Sequence, residues 1–331
     1  VIAGNKAVKE FLNKRTADGS TYNGLSDFFF GLFGHSILFS VEPEEAYHFR
    51  SVLLPLFSPQ AFQCKRKRSE SLNSSEETAG WYNEITREVC DSWMKSEIDP
   101  HTKKAIGNNY RDGSPIVLYE AFKKFASQWV MRVFLNATGE EAAQLSVLAT
   151  SHWHGLISVP LNVKVAFLSS SSTYRKALEA KEKLLEIIET KAKERESAFL
   201  NTFFDNKGEM DMALLKNHVL VFVCSLIPKA LASVLTSFVY SARHWRGQLE
   251  DEKQSESVSE EKKLRNIFME ILRLWPPFLG AYRVTNKDIE VGDFHVPKGY
   301  GVLCATFAAH RDPDIFPNPE SFLPRRWETY N

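Results

Sequence analysis

Glu270-Ile271-Leu272-Arg273-Leu274-Trp275-Pro276-Pro277, answered some fifty residues later by Phe322-Leu323-Pro324-Arg325-Arg326-Trp327, is the most informative part of this chain. On a helix, positions i and i+3 share a face, so the Glu270 carboxylate and the Arg273 guanidinium can pair. On a solvated helix such a pair contributes roughly a few tenths of a kcal/mol and says little. Here Ile267, Phe268, Leu272, Leu274 and Trp275 make the helix apolar around much of its circumference, which predicts a buried pair. A buried pair needs further hydrogen bonds to offset desolvation, and Arg326 is the candidate third member.

Outward from this point the helix spans Leu264–Trp275 and stops at Pro276-Pro277, because proline removes a donor and disfavours helix in the residue before it. Short strands follow: Ile289–Val291, a turn at Gly292-Asp293, Phe294–Val296, then Pro297-Lys298-Gly299 before Val302–Cys304, together predicting a hairpin meander. Upstream, residues 1–263 read as mostly helical, with amphipathic periodicity in Trp81–Lys95, Tyr119–Leu135, Glu140–Trp153 and Tyr174–Phe199. A long apolar helix covers about residues 212–249, and a charged linker, Glu250–Lys263, follows it. The N-terminus reads as a strand end, Val1–Ala3, a turn at Gly4-Asn5 and a helix Lys6–Lys14, with a further helix at Glu45–Phe62. The fold class is mainly α with a small β region.

The 331 residues carry 41 Lys+Arg against 41 Asp+Glu, so net charge offers no electrostatic case for nucleic acid. Four cysteines with no CxxC pair predict neither a zinc site nor a disulfide scaffold. His152 and His154 flank Trp153 without a spaced acid or histidine to complete a metal set, and read as core or surface histidines. His218–Tyr240 has spanning length, but Pro228 and Lys229 at its centre favour a helix buried in protein over a membrane segment. The sequons at Asn73 and Asn136 read as chance. The chain opens on Val1 and directly into apolar sequence, as a piece of a longer chain would.

The two stretches resemble the cytochrome P450 family. Glu270-x-x-Arg273 is similar to that family's ExxR on its K helix, and Phe322-x-Pro324-x-Arg326 to the segment whose arginine completes a Glu–Arg–Arg core network. Pro297-Lys298-Gly299 and His310-Arg311-Asp312-Pro313 match family habits in order and spacing. More faintly, Arg50 through Ser58 is similar to the C helix, and Val1–Leu12 to the early strand and B helix. The resemblance implies the P450 fold, incomplete at both ends, as a single domain over 1–331. It implies haem b, with Arg50, Arg283 and His48 as candidate cofactor-binding residues at the propionates, and Glu270, Arg273 and Arg326 as a structural rather than catalytic network. The axial Cys is expected beyond Asn331, since Cys304 precedes Arg326 and Cys224 lies in the long helix. The style of Gly280–Val284 and Pro297–Tyr300 resembles the retinoid and sterol hydroxylase branch.

Two departures stand out. Where the family's long helix carries an acid followed by a threonine, this chain aligns Leu226-Ile227-Pro228-Lys229-Ala230, with Lys229 for the acid and Ala230 for the threonine. Four residues before Arg50 stands Ala46, where the family has Trp or His, with Tyr47 or His48 as substitutes. Three readings follow. The first is a monooxygenase of a lipophilic small molecule, served by a reductase that docks near the basic run Lys65–Arg68, with substrate contacts after Ala17, in Pro160–Ser172 and on the long helix. The second is a P450-fold isomerase or dehydratase acting on a lipid hydroperoxide. The third is a non-catalytic, haem-less fragment or pseudoenzyme. Localisation stays open: the family's endoplasmic-reticulum anchor would precede Val1, and this chain is expected to hold no transmembrane segment.

Overall fold

The computed structural model describes residues 1–13, 20–21, 27–36, 51, 84–91, 117–158, 164–165, 170–195, 197, 199–201, 212–242, 244–245, 259–278 and 280–328. In chain order the named elements are α1 (Asn5–Asn13), β1 (Ser20–Thr21), α2 (Asp27–Phe33), α3 (Leu118–Leu135), α4 (Gly139–Leu156), β2 (Lys164–Val165), β3 (Ser170–Ser171) and α5 (Thr173–Lys193). The long helix follows as α6 (Met212–Val221), a π-helical turn Phe222–Leu226 and α7 (Ile227–Tyr240). The chain ends with α8 (Glu260–Leu274), β4 (Gly280–Thr285), β5 (Ile289–Val291), β6 (Phe294–Val296), β7 (Gly301–Ala305), α9 (Thr306–Ala309) and a 3-10 turn Pro324–Glu328. Two compact units result, Leu25–Lys229 and Val1–Gly24 with Ala230–Asn331. The helix expected over Glu45–Phe62, the basic run Lys65–Arg68 and the sequon at Asn73 lie outside the described residues, apart from helical Ser51.

The Leu25–Lys229 unit is helical because its apolar residues repeat at helical spacing. On α5, Ala177, Ala180, Leu184 and Ile188 form one buried stripe, and Ser172 caps the helix by accepting from the Arg175 amide at 3.2 Å. Helices α4 and α5 approach closely at Gly155, where a Cβ would stand 2.4 Å from that of Ala177. Asn136, in the left-handed region at φ 53°, ends α3; its amide donates to Arg132 O and the Ala137 amide to Met131 O. The second sequon is therefore a helix stop.

The long helix departs from uniform α geometry. Pro228 has no amide proton and its ring would strike the carbonyl four residues back. The chain answers with the π turn just before it, a wider spiral that takes up the misfit. Met212–Tyr240 is long and apolar enough to cross a membrane, and half of its most apolar stretch is buried within the protein. Val219 to Val223 are all but inaccessible, as in a core helix.

In the other unit, α8 begins at Glu260, four residues earlier than the periodicity suggests, because Ser259 caps it through the Lys262 amide. Ile267, Ile271 and Leu274 pack with Phe322, flanked by Phe238, Trp245 and Trp275. The expected meander is corrected by the pairing. β5 and β6 form an isolated hairpin, turning at Gly292 (φ 59°), while β7 passes over β6 to pair antiparallel with β4, which also pairs with β1. Thr285 explains the detour, since its hydroxyl donates to Pro297 O at 2.7 Å and its backbone exchanges bonds with Gly299 and Tyr300. Ile2 extends the sheet by a parallel bridge to Cys304, and beneath it Phe11, Ile289, Val291, Val302 and Cys304 form a small core.

Candidate functional site

The most elaborate polar site among the described residues sits on the last turn of α8. Glu270 is inaccessible to solvent and Arg273 is 1% exposed. Helical spacing sets them side by side: Arg273 Nε donates to Glu270 Oε2 at 3.0 Å and Arg273 Nη2 to Oε1 at 2.8 Å, a bidentate pair. The 3-10 turn after Pro324 brings the rest. Arg326 Nε donates to Oε1 at 3.1 Å, the Leu323 amide to Oε1 at 2.9 Å and the Trp327 indole to Oε2 at 2.9 Å. One carboxylate thus accepts five hydrogen bonds.

Arg273 is equally spent. Beyond its two bonds to Glu270, Nη1 donates to His310 O and Pro319 O and Nη2 to Ser321 O, so all five guanidinium protons are placed, and the group lies over the Phe316 ring. Arg326 reaches Pro317 O, Asn318 O and Ser321 O. Burial by itself pushes the Glu270 carboxyl up. The hydrogen bonds from Arg273, Leu323 and Trp327, with the Arg273 charge, outweigh it and hold the group below the ordinary carboxylate value. Such an arrangement does no proton transfer at neutral pH; it fixes residues 310–327 against α8.

Sequence reasoning missed Trp327, the Leu323 amide and the carbonyls that receive Arg273. The indole beside Arg326 was a readable donor, whereas backbone groups leave no trace in side-chain identity. His310 also closes on the helix end, its Nδ1 3.2 Å from Arg273 O, and Arg311 donates to Leu274 O at 2.8 Å while stacking on Phe307. These bonds satisfy C-terminal helix carbonyls that Pro276-Pro277 cannot reach.

The residues expected to hold haem fare differently. Arg50 and His48 lie outside the described residues. Arg283 is half-buried on β4, with Nη1 donating 2.9 Å to Tyr282 O. Cys90, Cys224 and Cys304 are free thiols. Burial pushes all three up, aided at Cys90 by Asp91 and only partly opposed by Lys229 at Cys224 and by Arg283 and the N-terminus at Cys304. None of them presents the thiolate that such a haem requires. Among the described residues no cluster of three or more His, Cys, Asp or Glu could hold a metal. The described residues therefore do not make a haem site by themselves. His152 is a buried core histidine, bonded through Nε2 to Leu32 O at 2.9 Å, and His154 is exposed.

Residues 248–331 match the family model for cytochrome P450. The chain is 31% identical over 221 residues to taxane 10-beta-hydroxylase of Taxus cuspidata, covering 57% of this chain and 43% of that protein. It is 25% identical over 337 residues to beta-amyrin 6-beta-monooxygenase of Solanum lycopersicum, covering 91% and 68%. The chain spans about half the length of the first curated relatives it matches. Among solved structures, retinoic acid-bound cyanobacterial CYP120A1 shares the fold with a TM-score of 0.73 at 20% identity, over 100% of this chain and 72% of that one. The matched segment, the relatives and the fold agree: residues 248–331 are a cytochrome P450 segment, and the chain shares the P450 fold.

Proposed function

We propose that the protein is a haem-dependent monooxygenase that inserts one oxygen atom into a lipophilic small molecule, with electrons supplied by a reductase. The observation that carries this reading is the five-bonded Glu270 carboxylate, which ties α8 to the segment through Trp327 where the family's network is expected. Relatives named for the hydroxylation of a taxane and the oxidation of beta-amyrin support a bulky, apolar substrate. When bound, the haem supplies the oxygen chemistry, and the protein supplies orientation and exclusion of water. Glu270, Arg273 and Arg326 then act as scaffold within a single domain, and Arg283 offers a guanidinium to one propionate.

The test is a reduced carbon monoxide difference spectrum of the full-length gene product. A Soret band shifted strongly to the red supports a thiolate-held haem, and its absence in folded protein refutes the reading. One observation favours a second reading, an isomerase or dehydratase of a lipid hydroperoxide. Pro228-Lys229-Ala230, at the start of α7 directly after the π turn, stands where the family places its acid and threonine, and an O–O bond already present in the substrate needs no such pair. Turnover of a fatty-acid hydroperoxide without reductase or reductant would select it.

A further inference from the structure

Two described lysines have their ammonium groups held down by burial, and they differ in what their protons meet. Lys181 Nζ donates to Gly31 O at 2.8 Å. Lys229 is half-buried at the start of α7, and no hydrogen bond or ion pair reaches its Nζ among the described residues. Instead Nζ lies 5.0 Å from the centroid of the Trp153 ring on α4. From α3, Lys123 adds a second positive charge, itself paired with Glu120 at 2.5 Å, and the buried Cys224 thiol stands behind on the π turn. Burial first, then Lys123, lowers the Lys229 amine to about 8; Cys224 and Glu120 oppose the shift in part. A partly accessible amine without a carboxylate partner and with a second cationic group near it is arranged as a nucleophile.

We propose that Lys229 is a reactive amine that condenses with lipophilic aldehydes to form a Schiff base. The amine nitrogen adds to the carbonyl carbon, and the carbinolamine loses water. Overall an ammonium and an aldehyde give an iminium and one water, with no change in oxidation state and no co-reactant. The ring face explains the class of partner. An iminium keeps its positive charge over Trp153, whereas acylation would discharge the nitrogen and forfeit that contact. The apolar sequence that leads into Lys229, Phe222–Leu226 on the π turn and Ile227, favours an aldehyde with a hydrocarbon tail over a sugar. None of this depends on haem.

The experiment is reductive labelling of the folded protein with hexanal and sodium cyanoborohydride, followed by peptide mass spectrometry. At pH 7 an amine near 8 is about one-tenth neutral, against roughly one part in 3,000 at the ordinary 10.5. The Lys229 rate is expected to exceed those of exposed Lys176 and Lys262 by at least about tenfold, and to level off just above pH 8. A Lys229 rate no greater than the reference rates, or one still climbing in parallel with them beyond pH 9, overturns the assignment.

Discussion

Replacing Glu270 by Gln removes one charge and exchanges one acceptor oxygen for a donor, with almost no change in shape. In the folded protein Oε1 accepts from Arg273, Leu323 and Arg326, and Oε2 from Arg273 and Trp327. Whichever oxygen becomes the amide nitrogen, at least two donors face another donor. Two guanidinium groups, one 1% and one 9% exposed, lose their counter-charge. Breaking a buried pair from one side costs about 3–5 kcal/mol, much of it the stranded charge. At a urea slope of about 2 kcal/mol per M, the midpoint falls by roughly 1.5–2.5 M. Trp245, Trp275 and Trp327 lie in the unit affected, so intrinsic fluorescence follows its unfolding. Glu320→Gln, which breaks an ion pair with Arg311 at a carboxylate 74% exposed, is the control and shifts the midpoint by less than about 0.5 M. A Glu270→Gln midpoint inside the control range would refute the reasoning.

Stability should fall with acid in two separable windows. His152 is held down to about 4 by burial against an ordinary 6.5, so the unfolded chain takes up its proton first. Its contribution is complete above pH 6.5 and is lost as pH falls towards 4, by about 3 kcal/mol. His152→Gln should flatten that limb of the pH–stability curve; an unchanged limb would remove His152 as its cause. Glu270 is also held below its ordinary value, so its contribution is present above the ordinary 4.5 and lost as pH falls further. Glu270→Gln should therefore flatten only the lower limb. Gly155→Ala places a methyl 2.4 Å from the Ala177 Cβ, and overpacking of that kind costs about 1–3 kcal/mol. Thermal melts that match the unaltered protein would show that the two helices separate without penalty. Gly280→Ala, whose Cβ would meet Cys304 O at 1.8 Å, should cost more, because strand backbone yields less than a helix pair. Equal midpoints for these two glycine variants would contradict that ordering.

Much of the fold was legible in the sequence, because helices announce themselves through the period of their apolar residues. The stripe Ala177, Ala180, Leu184, Ile188 needed no tertiary information, and neither did the stop at Pro276-Pro277. The i, i+3 spacing placed Glu270 and Arg273 on one face, since helix geometry alone fixes that relation. Strand pairing is another matter. β7 reads as the next strand of a meander, yet it lies on β4, because Thr285 and the Pro297–Tyr300 return set a register that no local pattern encodes. The sequence by itself determined which residues could pair and that α8 must end before Pro276-Pro277, as both follow from backbone steric limits and side-chain spacing. By contrast, α5 stops at Lys193 rather than Phe199, and the long helix at Tyr240 rather than near residue 249. Only the tertiary structure decided that Glu270 would accept five hydrogen bonds, two of them from Leu323 and Trp327, and that Arg273 would spend its other protons on three carbonyls. Those partners are some forty to sixty residues away, and what joins them is the cost of leaving a buried charge or donor unpaired.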